Sequence, residues 1–141
     1  FDMRTRARRL MSENAIDILV VDYLQLAQGR TKDNRVQEVS EISQGLKNIA
    51  RELKIPVLAL SQLSRAVESR GEKTPQLSDL RESGAIEQDA DVVMFLYRKD
   101  EDLREQVSLK IAKHRNGPLG EIELFFRGDR IKFYGMESKT S

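Results

Sequence analysis

Three short, nearly all-apolar runs constrain this chain more than any other feature: Ile16–Val21, Val57–Leu60 and Val92–Tyr97. A continuous apolar run of this length fits a strand buried on both faces, as parallel strands in α/β proteins are. Between the first two runs, Val36, Val39, Ile42, Leu46, Ile49 and Leu53 recur at spacings of three and four. That spacing places them on one helical stripe, although Gly45 inside it costs about 1 kcal/mol against Ala. Pro56 ends the helix and opens the second strand. An earlier helix is expected over residues 3–13, with Asp2 as its N-cap and as an acid at the positive helix end. Residues 28–35 read as a polar loop and residues 70–78 as a mobile one, with Ser78 able to cap a short helical turn through Leu80.

The last forty or so residues follow a different period. Val107/Leu109/Ile111, Ile122/Leu124/Phe126 and Ile131/Phe133 alternate with polar neighbours, and Asn116-Gly117-Pro118 and Gly128-Asp129 supply turns between them. This pattern predicts an antiparallel meander. Strand–helix–strand units followed by a meander imply an α/β fold, a mostly parallel sheet flanked by helices and extended by antiparallel strands at one edge.

Composition narrows the function classes. At 141 residues the chain suits one domain with a real core, and 39% apolar with 33% charged residues is a globular balance. A net charge of +1 means that any nucleic-acid contact comes from local patches. The absence of cysteine excludes a disulfide scaffold and a thiolate zinc site. No apolar run approaches the roughly 20 residues that span a membrane. The arginine-rich start has no apolar stretch behind it, so no signal peptide is expected. The chain opens on Phe1, which suggests a fragment or a processed piece.

Four places could carry chemistry. Asp22 ends the first buried strand, where open α/β sheets place their ligands, and an acid there either helps hold a nucleotide's Mg²⁺ or caps a turn. Ser61-Gln62 ends the second strand, where Gln62 could sense a γ-phosphate or simply line a strand exit. Lys113 and Arg115 point to one face if extended geometry persists to 115, the face of Val107, Leu109 and Ile111. They suit an anion held at an interface, or they guard a solvated edge strand. In 79–91, Arg81 and the backbone amides near Ser83-Gly84 could bind nucleic-acid phosphates; the alternative is a capped surface helix. Arg4, Arg6, Arg8 and Arg9 spread over more than one helix face and read as solvated. His114 is a turn-flanking surface residue without a role.

The order and wording of these blocks resemble one family, the DnaB-type replicative helicases. Val21-Asp22-Tyr23-Leu24-Gln25-Leu26 is similar to its Walker B region, and Asn34-Arg35, Glu38-Val39-Ser40 and Leu46-Lys47 to the helix that follows. Ser61-Gln62-Leu63-Ser64-Arg65 is similar to the next motif. Leu80-Arg81-Glu82-Ser83-Gly84 with Ile86-Glu87-Gln88-Asp89-Ala90-Asp91 resembles the DNA-loop motif, and Lys113-His114-Arg115-Asn116-Gly117-Pro118 the final one. The resemblance runs from about residue 4 to about residue 128. It implies a RecA-like P-loop NTPase core in a homohexamer ring, with ATP and Mg²⁺ between subunits. Asp22 would serve the Mg²⁺ and Gln62 would sense the γ-phosphate. Lys113 and Arg115 would reach the neighbouring subunit's nucleotide, Arg115 as an arginine finger worth roughly 10³–10⁵ in rate. Arg81, Glu82 and Gly84 would belong to a central-channel loop that follows single-stranded DNA. A primase and a helicase loader are implied as partners, and the cytoplasm, at a bacterial or organellar replication fork, as the place.

The family's Gly-x-x-x-x-Gly-Lys-[Ser/Thr] loop and its upstream glutamate are absent from these residues. Residues 1–141 are therefore expected to be the C-terminal portion of a RecA-like ATPase domain without its Walker A region, inactive in isolation. A RecA/RadA-like recombination ATPase and a non-catalytic DNA-binding or assembly module are the alternatives.

Overall fold

A computed structural model describes residues 2–22, 35–63, 67, 69–71 and 74–136, with the backbone alone at residues 35 and 81–83. The chain divides into two compact units, residues 1–64 with 80–90, and residues 65–79 with 91–141. The expected ingredients are present: a parallel sheet, flanking helices and an antiparallel meander.

The first unit is built around the helix with the apolar stripe. Helix α1 spans Asp2–Glu13, β1 Leu19–Val21, α2 Arg35–Leu53, β2 Val57–Ala59 and α3 Gly84–Asp89. From the stripe, Val39, Ile42, Leu46 and Ile49 are buried, while Val36 at the first turn is exposed. Ala7 of α1, Val21 of β1 and three of these α2 residues form one cluster, with Leu53, Val57 and Ile86 packed on it. Helix α2 stops because Lys54 adopts φ 55°, a left-handed C-terminal conformation, with Pro56 two residues on. Asp2 is the first helical residue rather than a flanking cap, and it pairs with Arg6 one turn along at 2.8 Å. Arg4 and Arg8 both pair with Glu52 of α2, so the N-terminal arginines serve surface ion pairs.

Strands β1 and β2 pair in parallel, Leu19 with Val57, Val20 with Leu58 and Val21 with Ala59. The first apolar run is strand only from Leu19 on. Burial on both faces does not hold: Val20 is 54% exposed and Leu58 40%, whereas Val21 is buried. A sheet of two strands packed against α2 covers one face, and alternate residues necessarily point away from it.

The second unit is a four-stranded antiparallel sheet in sequential order: β3 Val92–Tyr97, β4 Gln106–His114, β5 Gly120–Arg127 and β6 Lys132–Gly135. The third apolar run, β3, thus heads the meander. Ile131, expected to point inward beside Phe133, instead takes φ 49° in the turn before β6 and is 83% exposed. The turn is held by Arg127, which donates to Asp129 at 3.0 and 3.1 Å.

Residues 74–76, expected to be loop, are anchored on the meander, with Pro75 fully buried and its carbonyl accepting from Lys110 Nζ at 3.1 Å. A 3-10 helix, Leu77–Ser83, follows, kinked at Leu80. Its cap is not Ser78. The Gln76 N–H donates to Asp79 Oδ2 at 2.7 Å while the Asp79 N–H donates back to the Gln76 carbonyl at 2.9 Å. This is the reciprocal logic of a capping box, and Arg70 closes it with a 2.6 Å bond to the same carboxylate.

Candidate nucleotide and DNA site

The carboxyl ends of β1 and β2 carry the first two candidate residues. The ladder persists to its end, where the Leu60 N–H donates to the Val21 carbonyl at 2.9 Å. Asp22 therefore emerges one residue beyond the last pair and Gln62 three beyond it, on adjacent parallel strands and at the same edge. Both are exposed. No group of three or more His, Cys, Asp or Glu side chains stands together among the described residues. Tyr23 to Asn34, the remainder of the Walker B-like block and the loop after it, lie outside the described residues.

Residues 79–91 form no loop over 79–89. The 3-10 helix carries Arg81, Glu82 and Ser83, and Gly84, which is exposed, opens α3 directly behind it. Helix α3 is anchored where it ends. Ser43 Oγ of α2 donates to Asp89 Oδ2 at 2.7 Å, and the Ala90 N–H donates to the Ile86 carbonyl at 2.9 Å.

The cationic pair at the end of β4 departs from the expected geometry. Met94 pairs with Ile111 but Val93 pairs with Lys113, so Ala112 is an extra residue on β4 and the register shifts there. Directly paired residues share a face, and successive residues alternate. Lys113 consequently shares the face of buried Val93, not that of Leu109 and Ile111. Re-aiming a side chain at a strand end is what a bulge does. The strand ends at His114, and Arg115 sits in the turn that follows. There the Arg115 N–H donates to the Asp91 carbonyl and Nη1 to the Asp91 carboxylate, both at 2.8 Å.

His114 takes part in the turn itself. Nδ1 lies 3.2 Å from the Pro118 carbonyl, and the ring covers Gly117 so closely that a Cβ there would fall on it. A larger residue at 117 would displace the imidazole from this position.

In the sequence Asp91 is only the last residue of a motif block. Its contact was within reach of pairing logic: β3 and β4 are antiparallel with Val92 opposite His114, which brings Asp91 opposite Arg115. The missing signal was the register, which the bulge obscures.

An acid and a glutamine at the ends of adjacent parallel strands, followed by an antiparallel sheet with cations at a strand end, define an α/β protein with a P-loop NTPase-like layout. Residues 1–135 match the family model described as the DnaB-like helicase C terminal domain, and the chain belongs to that family. It is 53% identical over 145 residues to the replicative DNA helicase DnaB of Geobacillus stearothermophilus, covering 98% of this chain and 32% of that protein. It is 52% identical to the replicative DNA helicase DnaC of Bacillus subtilis, again covering 98% of this chain and 32% of the relative. The chain thus spans about a third of the length of these relatives. Among solved structures, one described as an ATPase domain superposes with a TM-score of 0.88 at 44% identity, covering 96% of this chain and 50% of that one. A DnaB-like replicative helicase, whose structure was described together with its interactions with primase, gives 0.87 at 44% identity over 96% of this chain and 35% of its own. No helix among the described residues is long and apolar enough to cross a membrane.

Proposed function

We propose that this chain is the C-terminal portion of a RecA-like motor domain in a hexameric, ATP-dependent replicative helicase. The complete protein would move along single-stranded DNA and unwind duplex at the replication fork, in the cytoplasm. The observation that carries the proposal is the family match over residues 1–135, within which every candidate residue falls. The strand-end geometry supports it, since Asp22 and Gln62 emerge together at one edge of the parallel sheet.

Asp22 would serve Mg²⁺. An exposed carboxylate suits that ion, which keeps several waters and takes other ligands from phosphate oxygens. When bound, the ion neutralises charge on the phosphates. Gln62 would sense the γ-phosphate, and Lys113 and Arg115 would reach the nucleotide of the next subunit. A cation in an exposed turn is accessible to a neighbour. Arg81, Glu82 and Gly84 would follow the backbone of single-stranded DNA, and contacts of that kind carry no direct sequence information, so the motor travels over any sequence. A primase and a helicase loader are the proposed partners. The phosphate loop is not in these residues, so residues 1–141 by themselves would not turn over ATP.

The test is Arg115→Ala in the complete protein. Fork unwinding should fall by roughly 10³-fold or more, the scale of an arginine finger, while ATP affinity stays near that of the parent. Undiminished unwinding would remove Arg115 from the mechanism.

A further inference from the structure

We infer that Asp91 is a positioning residue for Arg115, holding the guanidinium ready. This rests on the proposed role of Arg115.

The contact has two points. The Asp91 carbonyl accepts from the Arg115 backbone N–H and its carboxylate accepts from Nη1, each at 2.8 Å. The first fixes where the turn leaves β4. The second fixes which way the side chain points. An arginine side chain carries several free torsions and five N–H donors, so one donor can stay on Asp91 while others meet a phosphate oxygen.

The strength of the pair suits positioning rather than trapping. Arg115 is 46% and Asp91 55% exposed at the side chain, and ion pairs this exposed are weak. A nucleotide triphosphate carries more charge than one carboxylate, so Asp91 orients the guanidinium without withholding it.

The experiment measures ATP hydrolysis by the complete protein for Arg115→Ala, Asp91→Ala, Asp91→Asn and the Arg115→Ala/Asp91→Ala double variant. Arg115→Ala comes first, because unchanged kcat there would overturn the Arg115 reading itself. With that reading standing, Asp91→Ala should lower kcat roughly two- to fivefold, the scale on which an exposed ion pair biases one side-chain orientation, with KM for ATP unchanged. Asp91→Asn, which keeps an acceptor oxygen, should fall between Asp91→Ala and the parent. In the Arg115→Ala background, Asp91→Ala should add nothing, because the two residues act as one unit. Parent-like kcat in both Asp91 variants would overturn the inference, as would an undiminished effect of Asp91→Ala when Arg115 is already gone. If Asp91→Ala does not assemble, Asp91→Asn decides on the same readouts.

Discussion

Ser43 Oγ of α2 and Asp89 Oδ2 at the end of α3 are 2.7 Å apart, a partly buried hydrogen bond between residues 46 positions apart in sequence. Ser43 is 7% exposed and Asp89 is partly buried, so water replaces the lost donor only in part. Ser43→Ala should therefore destabilise the protein by about 0.5–1.5 kcal/mol, the net worth of a typical hydrogen bond. Urea denaturation followed by circular dichroism checks this, with Ser12→Ala as control. Ser12 is exposed and bonds within α1, so that change should stay within about 0.5 kcal/mol.

The meander carries a charge cluster with a defined pH signature. Lys99 bonds to Glu121 and, at 2.9 Å, to Glu123, while Tyr97 OH donates to Glu121 at 2.9 Å. The Lys99 ammonium holds the Glu121 carboxyl below its usual range, and the two carboxylates raise Lys99 well above its own. A depressed carboxyl contributes stability above its unfolded pKa and loses it as pH falls through the folded value. A raised lysine contributes below its unfolded pKa and loses that as pH rises through the folded value. The window is thus the whole neutral range. Glu121→Gln should flatten the fall in stability below about pH 4 and reduce the salt sensitivity of stability at pH 7. Thermal melts across pH would show it, and an unchanged acid limb would count against the cluster.

The proposed DNA segment makes a prediction about salt. Replacing Arg81 with Ala should weaken binding of single strands equally for different sequences. It should also lower the slope of log K against log salt by about 0.7, one phosphate's share on single-stranded DNA. Fluorescence anisotropy with oligo(dT) and mixed-sequence oligonucleotides at several salt concentrations measures both. Arg9→Ala is the control. Arg9 pairs with Glu13 within α1 at 3.0 Å and should leave the slope unchanged.

What could be read from the sequence is what local periodicity encodes. The α2 stripe from Val39 to Ile49, the stop at Pro56 and the alternation along β4 and β5 are local patterns, and the structure follows them. The misreadings involve details that periodicity does not encode. The exposed face of Val20 and Leu58 depends on what packs over the sheet's second side. The cap at Gln76 depends on Asp79 turning back, where serine looked the better candidate. The face of Lys113 depends on one extra residue, Ala112, in a strand whose sequence alternates without interruption up to that point. Ile131 has a strand former's side chain but occupies a left-handed turn position, set by the length of the connection between β5 and β6. At the candidate site, Asp22 and Gln62 were legible because strand ends are legible. The Asp91–Arg115 contact was not, because it follows from register.

The central claim is that this chain supplies Asp22 to its own nucleotide and Arg115 to its neighbour's. Mixing subunits tests it directly. Complete protein carrying Asp22→Asn and complete protein carrying Arg115→Ala should each be nearly inactive as ATPases. In rings assembled from equal parts of the two, about a quarter of interfaces should pair an intact Asp22 with an intact Arg115, since each heterologous interface joins two different subunits. Recovery of ATP hydrolysis in the mixture, well above either variant alone, is the predicted result. A mixture as inactive as its components would contradict the account.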